Sequence, residues 1–112
     1  MKPVRWLGSS LADLRAFPEG ARVRAGHELM RVQLGGDPTD WKPMSTVGPG
    51  VREIRVRIGT AHRVIYLATW DEAVYVLHAF EKRTGRTPKR DVDLASSRLR
   101  ALSAERRERQ RS

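Results

Sequence analysis

The chain has no cysteine, which excludes disulfide staples and thiolate metal sites and makes a reducing, cytoplasmic location the expectation. No apolar run approaches the roughly 18–20 residues that cross a bilayer, so no membrane partner is expected. The opening residues MKPVRWLGSS contain neither an apolar core nor a small-residue cleavage site, and no secretory signal is expected from them. His27, His62 and His78 are scattered without ligand-like spacing, so neither a metal nor a cofactor is expected. VGPGV lacks the lysine and the following helix of a phosphate-cradling loop and reads as a turn; serine-nucleophile motifs are missing too. Acidic residues are also scarce. There are 13 Asp and Glu against 22 Lys and Arg in 112 residues, a formal net charge of +9. Such an imbalance favours a polyanion, an acidic surface or an acidic protein, and for a small basic domain nucleic acid leads.

What is present fits one small domain spanning residues 1–112, with residues 103–112 as a solvated or disordered tail. Ser10 before LADLRAF predicts a helix start, with Ser10 capping the amide of Asp13. Pro18 ends that helix and suits the first turn of a second one. There Ala25, Leu29 and Val32 recur at helical spacing until Gly35-Gly36. DPTDWKPMSTVGPG, with three prolines and two glycines, reads as a loop. The period then changes to two. In VREIRVRI, Ile54, Val56 and Ile58 face one way and Glu53, Arg55 and Arg57 the other. HRVIYLAT and AVYVLHAF predict two further strands, apolar on both faces and therefore central. Short connections make the three an antiparallel meander. Thr87 is placed to cap a last helix beginning at Pro88, with Val92, Ala95, Leu99 and Leu102 as its apolar stripe. The fold class is α+β: two N-terminal helices packed on a small antiparallel sheet of at least three strands, closed by a C-terminal helix.

The chemistry-bearing candidates are cations on strands. Arg55 and Arg57 lie opposite the apolar side of the first strand. Arg63 sits inside HRVIY, where a lone buried charge is prohibitively costly. It must pair with a carboxylate, in a Glu53–Arg63 or Glu53–Arg55 cross-strand pair, or line a groove. Lys82 and Arg83 follow the third strand and can project toward Arg55 and Arg63, making a basic groove suited to a phosphodiester backbone. His78, alone in an apolar strand, reads as a hydrogen-bonded structural residue or an acid–base group. Arg86, Lys89 and Arg90 add general attraction. The arginines of the tail alternate with Glu105 and Glu108, which partly neutralise them.

REIR, HRVIY, YVLHAFEKRTGRTP and DLASSRL, in this order across about residues 45–102, resemble the RelE/HigB-like toxins of bacterial type II toxin–antitoxin systems, in their phage-related branch. The resemblance implies a RelE-like fold and metal-independent cleavage of mRNA, usually on the translating ribosome. It also implies a neutralising antitoxin, typically a helix-turn-helix protein. Within it, Arg63 matches the strand arginine that stabilises phosphate and transition state. Lys82 and Arg83 match the basic pair after the last strand, His78 is a candidate acid or base, and Lys42 reaches toward the same groove. The ParE-like branch shares the fold but poisons DNA gyrase, so fold alone does not decide between them; a plain RNA-binding domain is the third reading. Residues 84–112 contain no tyrosine and no histidine, a departure from relatives that keep an acid or base near the C-terminus.

Overall fold

A computed structural model describes residues 1–83 and 85–111; Thr84 of the basic stretch and Ser112 of the tail lie outside them. The elements run β1 (Val4–Trp6), α1 (Ser10–Arg15), α2 (Glu19–Gln33), β2 (Trp41–Pro43), β3 (Val51–Arg57), β4 (Ala61–Leu67), β5 (Val74–Lys82) and α3 (Lys89–Arg111). The fold is α+β, as expected. The meander β3-β4-β5 forms the middle of a five-stranded sheet ordered β1-β5-β4-β3-β2.

Two short strands extend the expected sheet. β2 pairs antiparallel with β3 inside the proline-rich segment read as a loop, and β1 pairs parallel with β5, making the sheet mixed. Each has only three residues, too few to display a period, and each sits at an edge, where proline is tolerated. Pro3, just before β1, still joins the ladder through its carbonyl, which accepts the Val74 amide at 2.9 Å.

Helices cover both faces. On one, Leu14 and Phe17 with Ala21, Ala25, Leu29 and Val32 of α2 pack against Ile54, Val56, Val64, Tyr66, Val74 and Val76. Ala21 and Ala25 are fully buried, so α2 lies close to the strands, and each large side chain enclosed there contributes about 1.5–3 kcal/mol. On the other face, Val92, Ala95 and Leu99 of α3 meet Val51, Ile65, Leu67, Leu77 and Phe80. Leu102 closes on Ala73 and Tyr75. The stripe expected for the last helix is thus the one that packs. Gly48 is required by this layer, because a Cβ there would lie 2.5 Å from Leu99 Cδ2. α3 lies against β5, which leaves the same face of β3 to its charged residues.

The helix starts differ from expectation. Ser9, not Ser10, is the N-cap of α1, and its hydroxyl donates to the Asp13 carboxylate at 2.7 Å without capping an amide. Ser10 is buried and donates to the Val76 carbonyl at 3.2 Å. Nearby, β5 carries a bulge. Ile65 pairs with His78 and Tyr66 with Val76, so Leu77 has no register partner on β4. The Leu77 carbonyl finds Arg98 Nη1, 2.9 Å away, while the Val76 carbonyl, facing β1, accepts from the Leu7 amide and from Ser10. Pro88 precedes α3, its carbonyl accepting from Asp91 and Val92, while the Thr87 hydroxyl turns away to Glu53. Ile58 falls beyond the end of β3; it lies on the α2 side with Ile54 and Val56, against Gly20, but is exposed where they are buried. The tail is helical through Arg111. Among the described residues no helix is long and apolar enough to cross a membrane.

Candidate functional site

Strand register assembles the charged residues. Arg55 lies opposite Arg63 across β3 and β4, Lys82 opposite Ala61 across β4 and β5, and Lys42 opposite Glu53 across β2 and β3. Two arginines placed directly opposite repel, so this arrangement needs carboxylates beside it. Glu53 supplies the first. It has no solvent exposure, and its Oε1 stands 3.3 Å from Arg63 Nε and 3.7 Å from Lys42 Nζ. Its Oε2 accepts the Thr87 hydroxyl at 2.7 Å. Although Arg63 Nε and Glu53 Oε1 are at ion-pair distance, neither has a hydrogen-bond partner, so charge and not alignment holds the pair. Thus Arg63 pairs with Glu53, whereas Arg55 does not.

Asp40 supplies the second carboxylate. Its two oxygens lie 3.0 Å from Arg55 Nε and 3.2 Å from Arg57 Nε. Backbone contacts set its position: the Arg55 amide donates to the Asp40 carbonyl at 2.8 Å, and the Thr39 amide to buried Glu28 of α2 at 2.6 Å. Five cations (Lys42, Arg55, Arg57, Arg63 and Lys82) therefore share two carboxylates, an excess of three positive charges.

The cluster is layered. Arg63 is the floor, only 5% exposed, and its Nη1 donates to the neighbouring His62 carbonyl at 3.0 Å. Burial lowers its pKa and Arg55 and Arg57 lower it further, while Glu53 and Asp40 oppose them; a guanidinium stays charged regardless. Lys42, Arg55, Arg57 and Lys82 reach outward to solvent. Lys82 lies below the ordinary lysine value, first because it is partly buried and then because of Arg63, with Lys42 and Arg55 adding and Glu53 opposing. An amine held so sheds its proton more readily than a free lysine, which is what proton transfer asks of it. The hollow of about 490 Å³ beside Met1, Leu34, Arg52 and Tyr66 lies elsewhere. The cluster is a charged surface, a shape that suits an extended polyanion better than an enclosed small molecule.

The remaining candidates stand apart. Arg83 is exposed past the end of β5 and pairs with Glu81 at 3.0 Å. Alternation puts Glu81 on the opposite face from Lys82, where it also lies 3.9 Å from His62. His78 is buried, stacked on Phe80, with Nε2 2.7 Å from Asp91 at the start of α3 and Nδ1 unpartnered. It ties strand to helix and is not among the cations around Glu53. Arg86, Lys89 and Arg90 are exposed, Lys89 pairing with Asp93 at 2.8 Å and Arg90 lying 3.9 Å from Asp91.

Residue reasoning missed Asp40 and Glu28, and it took Thr87 for a helix cap. Asp40 lies in a segment without periodicity, so nothing local marks it. Glu53 was visible as an acid on the arginine face of β3, though not as the hub of three partners.

All five cations fall within residues 12–100, and that span matches the family described as Phage derived protein Gp49-like (DUF891). The chain belongs to this family. The Gp49-like match takes in most of α1, all of α2 and β2 through β5, and about half of α3, and leaves out β1 and the arginine-rich end. No curated protein matches the chain. Among the described residues no group of three or more His, Asp or Glu is placed to hold a metal ion.

Proposed function

We propose that this Gp49-like protein is the toxin of a type II toxin–antitoxin pair and cleaves mRNA on the ribosome without a metal, as its resemblance to RelE/HigB-like toxins implies. The observation that carries the reading is the cationic excess around Glu53, with Lys82 at its rim. RNA brings its own nucleophile. A base takes the proton of a ribose 2′-hydroxyl, the oxygen attacks the adjacent phosphorus, and the 5′-oxygen leaves with a proton. Charge builds on the non-bridging oxygens, so fixed cations stabilise the transition state more than the ground state. In this reading Lys82 is the proton carrier, Lys42 and Arg55 contact phosphate, and Arg63 raises the potential from beneath. Arg57, Arg86, Lys89 and Arg90 supply attraction along the RNA. Arg83 and His78, which stand apart from the cluster, have supporting roles. The partner is an antitoxin, expected to be a helix-turn-helix protein with an acidic segment.

The lack of tyrosine and histidine in residues 84–112 favours a second reading, a ParE-like gyrase-directed toxin with no chemistry of its own. Mapping mRNA 5′ ends in a translating extract separates the two. The proposal expects codon-phased cuts that vanish in Arg63→Ala. Intact mRNA with relaxed or broken DNA would replace it by the gyrase reading. If mRNA and DNA both stay intact while RNA is retained on a filter, the protein is a basic RNA-binding domain.

A further inference from the structure

α2 turns Ala21, Ala25, Glu28, Leu29 and Val32 inward. Its outward pole is not polar. Val23, Met30 and Leu34 are 48%, 49% and 69% exposed. With Gly20 and His27, both also exposed, they recur at alternating steps of three and four residues, the spacing of a seam that packs against another helix. Ile58 extends the line at one end, since a Cβ on Gly20 would lie 3.1 Å from its Cγ2. Met1 extends it at the other, lining the same hollow as Leu34. Five of the six large apolar side chains exposed among the described residues thus follow one track, and only Leu94 lies elsewhere. Single exposed apolar residues are ordinary, whereas a continuous track marks a binding surface.

The positions beside the seam indicate the occupant. One flank carries Arg24 and Arg31, both exposed. Arg24 meets Glu28 only at 3.8 Å, and Arg31 donates to a backbone carbonyl, that of Asp37, at 3.0 Å. The other flank has exposed Glu19 at its start, then Gly26 and Gln33, and nothing lies within 4 Å of where a Gly26 Cβ would stand, so another backbone can approach closely there. We propose that this face binds an amphipathic helix of a different protein, apolar along its seam and bearing Asp or Glu opposite Arg24 and Arg31. A second copy is a poorer match: an antiparallel seam would set Arg24 against the other Arg31, between two chains of formal charge +9 each. The face lies on the α2 side of the sheet, away from the Glu53 cluster, so a helix bound here leaves the cations uncovered. The inference is independent of the nuclease reading.

Gly20 to Leu34 spans about 21 Å at 1.5 Å per residue, the reach of a peptide of about three heptads. A fluorescent peptide with leucine along its seam and glutamate at its flanks is titrated onto the full chain, beside a twin carrying lysine flanks. The glutamate peptide should bind at least about tenfold tighter than its twin. Met30→Glu and Val23→Glu, which alter exposed positions and should keep the wild-type circular dichroism, should each weaken it by about tenfold or more. Equal binding of the two peptides, or no loss in either variant, would overturn the proposal. A wild-type dimer in sedimentation that Met30→Glu dissociates would also overturn it, giving the face to a second copy.

Discussion

Arg63 meets Glu53 at 3.3 Å within the sheet, and Arg106 meets Glu72 at 2.6 Å at its rim. The two constellations use the same chemistry in opposite proportions. At the rim, one guanidinium contacts both oxygens of one carboxylate, lies 3.8 Å over the Trp70 ring, and shares Glu72 with the Tyr75 hydroxyl. Charge there is balanced, and the Glu72 carboxyl is held down at about 2, chiefly by Arg106. Within the sheet, Glu53 and Asp40 are outnumbered by five cations, and two of these, Arg63 and Lys82, have their pKa lowered instead of raised. A balanced pair fastens α3 to the sheet and asks nothing of a ligand. An unbalanced one is relieved when an anion arrives, and this difference is what supports our proposal of the Glu53 cluster as the site.

The contrast can be broken from either side. Glu53→Ala should have the largest effect. It leaves Arg63 buried without its counter-charge, and removing one partner of such a pair costs about 3–5 kcal/mol in urea unfolding. A cost below about 1 kcal/mol would mean that Glu53 is not the hub. Thr87→Val removes one hydrogen bond to the same carboxylate and should cost about 1–3 kcal/mol by the same measurement. An unchanged midpoint would mean that the Thr87 hydroxyl contributes nothing through Glu53. Arg106→Ala should lower the melting temperature less than Glu53→Ala does, because Glu72 can turn to water. The smallest effect is one of pH. Glu72 is depressed from 4.5 to about 2 in the folded chain, so its contribution is complete above about pH 4.5 and disappears as pH falls through about 2. The stability gap between wild type and Glu72→Gln should narrow over that window, and a gap that widens toward acid would contradict the assignment.

Sequence reasoning reached most of the fold because its central strands and last helix announce themselves. Ile54 and Val56 alternate with charges, β4 and β5 are β-branched and apolar, and Val92, Ala95, Leu99 and Leu102 step at helical intervals. β1 and β2 stayed hidden because three residues at an edge carry no period. The bulge at Leu77 was equally illegible, as was the turn of Ser10 into the sheet instead of capping its helix. For the site, alternation placed Arg55 and Arg63 on one face and Lys82 within reach, and Lys42, expected near the same groove, lies 3.7 Å from Glu53. Arg83 was grouped with Lys82 because the two are adjacent in sequence, yet at a strand end the next residue need not follow onto the same face. Asp40 depends on Glu28 holding Thr39 from another element, a tertiary contact that no local pattern encodes.

The most direct test compares Lys82→Ala with Arg106→Ala for mRNA cleavage in a translating extract, each scored by mapped 5′ ends at equal protein concentration. If the unbalanced cluster is the reactive surface and the balanced one a fastening, Lys82→Ala should slow cleavage by about 100-fold or more, while Arg106→Ala cuts at the wild-type rate. Full cleavage by Lys82→Ala, or equal losses in both variants, would contradict the account.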